Sequence, residues 1–225
     1  MTRLAILAAA TAAVSLLSAC GENFGERALG AATAATEVFS SGTATDDFAA
    51  TRTYEAAFTP DAVAANPDAY QLVTINALGI TELSNLIEAH DGASTWISQS
   101  GFSVSYRDGI LVATRGLIGE DVMAASAPGL AQALRTGGGT VDRAMETLDS
   151  LNQIQTTRFR CTVTPAGRET ISLGVRDIEA NRLDENCQSN TVIFDNIYWL
   201  DDAGRIMASR QYVSPTVAYL RSNRL

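Results

Sequence analysis

Lysine is absent from this 225-residue chain: all sixteen basic residues are arginine, set against twenty-five acidic ones for a formal charge of −9. The arginine bias reads as base composition rather than chemistry. The lack of any basic run is more informative, because an acidic chain without clustered positive charge is a poor binder of nucleic acid or of anionic lipid. Such a chain also repels an acidic polysaccharide unless its arginines gather on one face. Histidine occurs once, as His90 in Ala89-His90-Asp91-Gly92, which reads as a turn. A metal centre is therefore a weak reading, and no Gly-x-Ser-x-Gly elbow supplies a nucleophile for His90-Asp91 to serve. Gly137-Gly138-Gly139 is followed by Thr140-Val141-Asp142, not by the Gly-Lys-Ser/Thr that a nucleotide loop needs. The acidic pairs Asp46-Asp47, Asp184-Glu185 and Asp201-Asp202 are adjacent in sequence, whereas glycosidase work needs two carboxyls about 5 to 9.5 Å apart across a cleft. Adjacent acids read as solvated turns. The expectation is a protein that is not an enzyme and carries no cofactor or metal.

A long apolar run is also missing. A bilayer core needs roughly 20 apolar residues, and the stretch from Leu4 to Leu17 offers about fourteen, thinning into Ala and Thr. With Arg3 before it and the small residues Ser18 and Ala19 after it, residues 1–19 divide as a secretory signal does. Leu17-Ser18-Ala19-Cys20 resembles the lipobox of bacterial lipoproteins, which implies lipidation of Cys20 and cleavage before it. Each buried CH₂ is worth about 0.8 kcal/mol, so several acyl chains hold where one would not. Gly21 is not the Asp that often retains lipoproteins in the inner membrane, which points to the outer membrane, on its periplasmic face. Loss of Arg3 with the signal takes the charge from −9 to −10. Only Cys161 and Cys187 then remain as an even pair in an exported chain, so a disulfide between them is expected.

Residues 20–58 are Ala/Thr-rich and low in bulky side chains, as a tether is. Phe24, Ala28, Ala32, Ala35 and Phe39 recur at helical spacing within them, which predicts a narrow helical stripe. Thr59-Pro60-Asp61 reads as an N-cap with proline in the first helical position, starting a short helix that Asn66-Pro67 stops. Beyond it, residues 59–225 read as a β-rich domain. Leu72–Ile75 is a strand candidate, and Ile80 to Glu88 fits strand or helix. Thr95 to Ser98, then Phe102, Val104 and Tyr106 alternating with polar residues, then Ile110 to Thr114 after Asp108-Gly109, make a three-strand meander. Gly129 to Arg135 reads as a helical turn, Thr140 to Leu148 as helix or strand, Arg158 to Val163 as a strand. Pro165-Ala166-Gly167 reads as a turn before Glu169 to Leu173. Val192 to Leu200 and Arg205 to Ser214 form a hairpin about Asp201 to Gly204.

Trp96-Ile97-Ser98-Gln99-Ser100-Gly101, Tyr106 through Asp108-Gly109 to Leu117, and Tyr198-Trp199-Leu200 through Gly204-Arg205 to Ser214-Pro215 resemble the group 4 capsule polysaccharide lipoprotein family. Tyr212 stands where that family commonly has Trp, and Ser100 where it commonly has Asp before the glycine. The resemblance implies a mainly β fold: an antiparallel, partly closed barrel-like sheet with short N-terminal helices. It tips Thr140 to Val163 toward a hairpin. It further implies a lipid-anchored accessory of capsule or exopolysaccharide export, acting as an interaction module beside an outer-membrane β-barrel or other export components, with the polysaccharide itself as a second candidate partner. Trp96, Tyr106, Trp199 and Tyr212, with Tyr198, lie on expected strands, where an exposed row would stack on sugar rings; aromatic residues on alternating strands are otherwise core.

Overall fold

The computed structural model describes residues 57–117 and 121–225, which belong to one compact unit spanning Tyr54–Leu225. The expected secretory signal, Cys20 and the expected helical stripe from Phe24 to Phe39 lie outside the described residues. A short helix, α1 (Pro60–Ala65), opens the domain as its sequence dictates: Thr59 Oγ1 accepts from Ala62 N at 3.3 Å, Pro60 occupies the first turn, and Asn66 ends it. Among the described residues, no helix is long and apolar enough to cross a membrane.

Twelve antiparallel strands follow: β1 (Tyr70–Ile75), β2 (Ile80–His90), β3 (Ala93–Ser98), β4 (Ser103–Arg107), β5 (Ile110–Arg115), β6 (Ala124–Ser126), β7 (Gly139–Leu148), β8 (Ile154–Ser172), β9 (Asp177–Gln188), β10 (Ile193–Leu200), β11 (Ile206–Tyr212) and β12 (Tyr219–Arg224). Their order in the sheet is β5-β4-β3-β2-β1-β12-β11-β10-β9-β8-β7-β6. Every hydrogen-bonded neighbour is therefore also a chain neighbour except β1 and β12, whose pairing joins the two ends of the domain. The result is an up-and-down ring left unladdered only between the consecutive strands β5 and β6. Even there Thr114 N donates to Val122 O at 3.0 Å, and Arg115 reaches across to the carbonyls of Val122 and Met123. This near-closure hides the edges that an open sheet would present.

Turn chemistry sets the register at one side of the ring. Asp91-Gly92 and Asp108-Gly109 each put two consecutive residues at positive φ, the backbone that a two-residue hairpin turn of the primed type requires. The segment Ile80 to Glu88 is strand, and so is Thr140 to Leu148, since both find ladder partners on two sides. The expected helical turn is α2 (Leu130–Thr136), which adds Leu130, Ala133 and Leu134 to the main core. Twelve strands enclose more space than an eight-stranded barrel. Here α2 and large side chains such as Trp96, Phe159 and Tyr198 occupy it.

One expectation is corrected. Pro165-Ala166-Gly167 is not a turn but a bulge within β8, where Pro165 faces Leu183 and Gly167 faces Arg182, leaving Ala166 unopposed. The extra residue reverses which face the odd positions occupy. Phe159, Cys161 and Val163 belong to the main core, whereas Ile171 joins a second cluster with Leu173, Ala180, Ile197, Trp199 and Ala208 on the outer face. The end of that β8–β9 hairpin lies over β12, held by Asn223 Nδ2 to Ser172 O and Arg176 Nη2 to Leu225 O, each 3.4 Å.

Candidate functional site

Cys161 and Cys187 face each other directly across β8 and β9 and are joined as a disulfide. Glu185 lies close enough to both sulfurs to make a three-ligand group, but the sulfurs are bonded to one another and the carboxylate is taken by an arginine. This is the chemistry of a crosslink, not of a metal centre. The aromatic residues expected on strands are present there, but not as an exposed row. Trp96, Tyr106 and Trp199 are 2, 4 and 6 % exposed. Trp96 donates to Ser94 Oγ at 3.1 Å, Trp199 donates to Glu169, and Arg221 covers the Trp199 ring at 5.1 Å. Burial pushes the Tyr106 hydroxyl up to about 12. Tyr212 is half-buried with one face stacked on Phe194, the ring centroids 4.5 Å apart. His90 ends β2 on the surface, 2.9 Å from Asp91, both side chains largely in water. Asp201 and Asp202 are tied to Arg205 and Arg168 at 2.8 and 2.7 Å; Asp46-Asp47 lie outside the described residues.

Asp184-Glu185 is the acidic pair that departs most from a solvated turn. It sits within β9, with Asp184 outward against Arg182 at 2.7 Å and Glu185 wholly buried. Glu185 Oε2 accepts from Arg143 Nη2 at 2.8 Å, Asn196 Nδ2 at 2.7 Å and Tyr198 OH at 2.9 Å, while Oε1 accepts from Arg143 Nε and Nη2. Every neighbour is a donor, which suits a carboxylate. Burial works against the charge on Arg143, but Tyr198 and Glu185 outweigh it and hold its pKa above the usual arginine value. The Tyr198 hydroxyl is driven well above its ordinary value by burial first and by the Glu185 charge second. The chain of contacts continues through Tyr198 to Gln211 Oε1 at 3.2 Å, and Gln211 fastens β5 by accepting from Leu111 N at 2.8 Å and donating to Gly109 O at 2.9 Å. Sequence reasoning missed Glu185 as an interior residue. The available signal was its place two residues before Cys187, which puts both on one face of a strand.

Outside the barrel, the same strands form an open polar groove of about 1290 Å³. Ladder register arranges its floor in rows. Ser126, Ala144 and Arg158 make one, Asp142, Arg160 and Gln188 the next, Thr140, Thr162 and Asn186 the third. Arg143, between Asp142 and Ala144, turns its side chain the other way, inside to Glu185.

Comparison with known proteins gives a family and a fold. A family model described as group 4 capsule polysaccharide lipoprotein gfcB, YjbF matches residues 32–225. Among solved structures, the hypothetical lipoprotein YmcC from Escherichia coli (K12) is similar at 21% identity and a TM-score of 0.65, over 80% of this chain and 94% of that one. No curated protein matches.

Proposed function

This chain belongs to the group 4 capsule polysaccharide lipoprotein family, and from that premise we propose that it is a lipid-anchored accessory protein of capsule or exopolysaccharide export, an interaction module on the periplasmic face of the outer membrane. One structural observation carries the reading: the interior of the barrel is filled by core side chains and by the Arg143–Glu185 network, so contact with a partner falls to the outer surface. The lipobox-like Leu17-Ser18-Ala19-Cys20 supplies the anchor, and residues 20–58 the reach between membrane and barrel. An outer-membrane β-barrel or another export component is the partner this arrangement suits. The protein performs no chemistry on the polymer in this reading; its one histidine pairs with Asp91 on the surface.

Deletion and pull-down test it. A clean deletion is expected to reduce surface polysaccharide, and Cys20→Ser to fail to restore it. Purification from membranes with the anchor intact is expected to bring an export component with it. Normal export in the deletion strain overturns the proposal, and release of shorter chains from the polymer by the purified protein overturns its non-catalytic part.

A further inference from the structure

We propose that the groove over β7, β8 and β9 is a binding site for an acidic polysaccharide chain, its carboxylates received by Arg158 and Arg160. The chain as a whole, with twenty-five acids against sixteen arginines, repels such a polymer; binding requires a place where the balance reverses. The groove is such a place. Arg158 and Arg160 stand exposed on its floor, and Asp142 is the one carboxylate residue on its lining. Asp142 approaches Arg160 only to 3.9 Å, with both side chains mostly in water. Arg158 makes no ion pair with any described residue. Three arginines nearby on the outer surface are held differently: Arg168, Arg182 and Arg205 are tied to Asp202, Asp184 and Asp201 at 2.7 to 2.8 Å. The two groove arginines thus keep their donors for something other than the protein's own acids.

The neighbours of those arginines suit a sugar. Thr140, Thr162 and Gln188 surround them with hydroxyl and amide groups, which both donate and accept hydrogen bonds, while Asn186 at the groove edge donates its amide to Asp195 at 2.6 Å. Same-face positions recur about every 7 Å along a strand and about 4.8 Å across the ladder, so the floor is a repeating array rather than one enclosed pocket. Guanidinium groups meet carboxylates in paired, charge-assisted hydrogen bonds. An open floor with repeating donors fits an extended polymer that passes over it, and an exposed charge contact of this kind weakens with salt. That a polysaccharide carries the carboxylates rests on the functional reading above; the anion-accepting character of the groove does not.

The test is a titration of the purified full chain with tetragalacturonate, followed by amide chemical shifts at two salt concentrations. Shifts are expected at Thr140 to Ala144, Arg158 to Thr162 and Asn186 to Gln188, decreasing with salt. Arg158→Gln/Arg160→Gln is expected to weaken binding about tenfold or more with an unchanged melting temperature, and Asp142→Asn to strengthen it. Absence of shifts in the groove, equal binding of neutral maltotetraose, equal binding by the double variant, or the same shifts from inorganic phosphate alone would each overturn the assignment. Export in the deletion strain is read separately, so failure of the groove leaves a distinct signature from failure of the export role.

Discussion

Arg143 of β7 and Glu185 of β9 meet at 2.8 Å inside the barrel although β8 lies between their strands. Neither leaves its strand to do so. Both side chains point inward, and the curvature of the ring brings their tips together across the intervening strand. The pair, with Asn196, Tyr198 and Gln211, replaces part of what would otherwise be apolar core and connects β7 to β5 across the interior.

Breaking this pair on one side leaves a buried charge without its partner. Arg143→Met is expected to destabilise the domain by about 3–5 kcal/mol, measured by urea unfolding. Arg143→Met/Glu185→Leu is expected to cost less than the sum of the two single changes, because the second substitution removes the stranded carboxylate. Equal costs for the double variant and the sum would show that the two side chains are not coupled.

The Cys161–Cys187 bond closes a separation of 26 residues. On the chain-entropy model that contributes about 3–4 kcal/mol. Cys161→Ala/Cys187→Ala is expected to lower the urea midpoint accordingly, and reductant to lower it in the natural chain and not in the variant. Two free thiols in the non-reduced mass of the extracted protein would contradict the crosslink.

Deleting Ala166 removes the bulge, and every residue of β8 beyond it then turns to the other face. Ile171 would leave the cluster around Trp199. The expected loss is at least about 3 kcal/mol, the scale of emptying one large aliphatic site. In a Trp96→Phe background the Trp199 emission should shift to the red. Unchanged stability and emission would mean that the outer cluster does not depend on the bulge.

Asp149 closes the β7–β8 hairpin, its Oδ1 accepting from Leu151 N at 2.8 Å and Gln153 N at 2.9 Å. These contacts, that to Gln153 foremost, hold its pKa below the usual aspartate value of 3.8. A depressed folded pKa means that the turn keeps its full support above the usual value and loses it as pH falls through the depressed one. The Leu151 and Gln153 amide resonances are expected to titrate together with a midpoint below 3.8, and Asp149→Asn to abolish the transition. A midpoint above it would contradict the geometry.

Local chemistry determined a good part of this protein. Alternation in Phe102 to Tyr106, the Asp-Gly turns and the proline-started helix at Pro60 are short-range signals, and the chain obeys them because each is settled within a few residues. The even cysteine pair was legible for the same kind of reason: once Cys20 is assigned to the lipobox-like stretch, Cys161 and Cys187 have one way to join. The barrel-like architecture came from resemblance, not from any local pattern.

Tertiary structure decided the rest. β9 escaped notice because it buries Ala180 on one face in its first half and Leu183, Glu185 and Cys187 on the other in its second, so no continuous alternation survives in the sequence. β12, polar along most of its length, is a strand because β1 and β11 stand on either side to receive its backbone. The aromatic residues could be placed on strands from sequence, but which face they occupy follows from register, and register put Trp96 and Tyr106 inside. Glu185 is the sharpest case. An acid beside another acid looks like solvated surface, and only the arrival of Arg143 from two strands away supplies the charge, and with Asn196 and Tyr198 of the next strand the donors, that let it be buried.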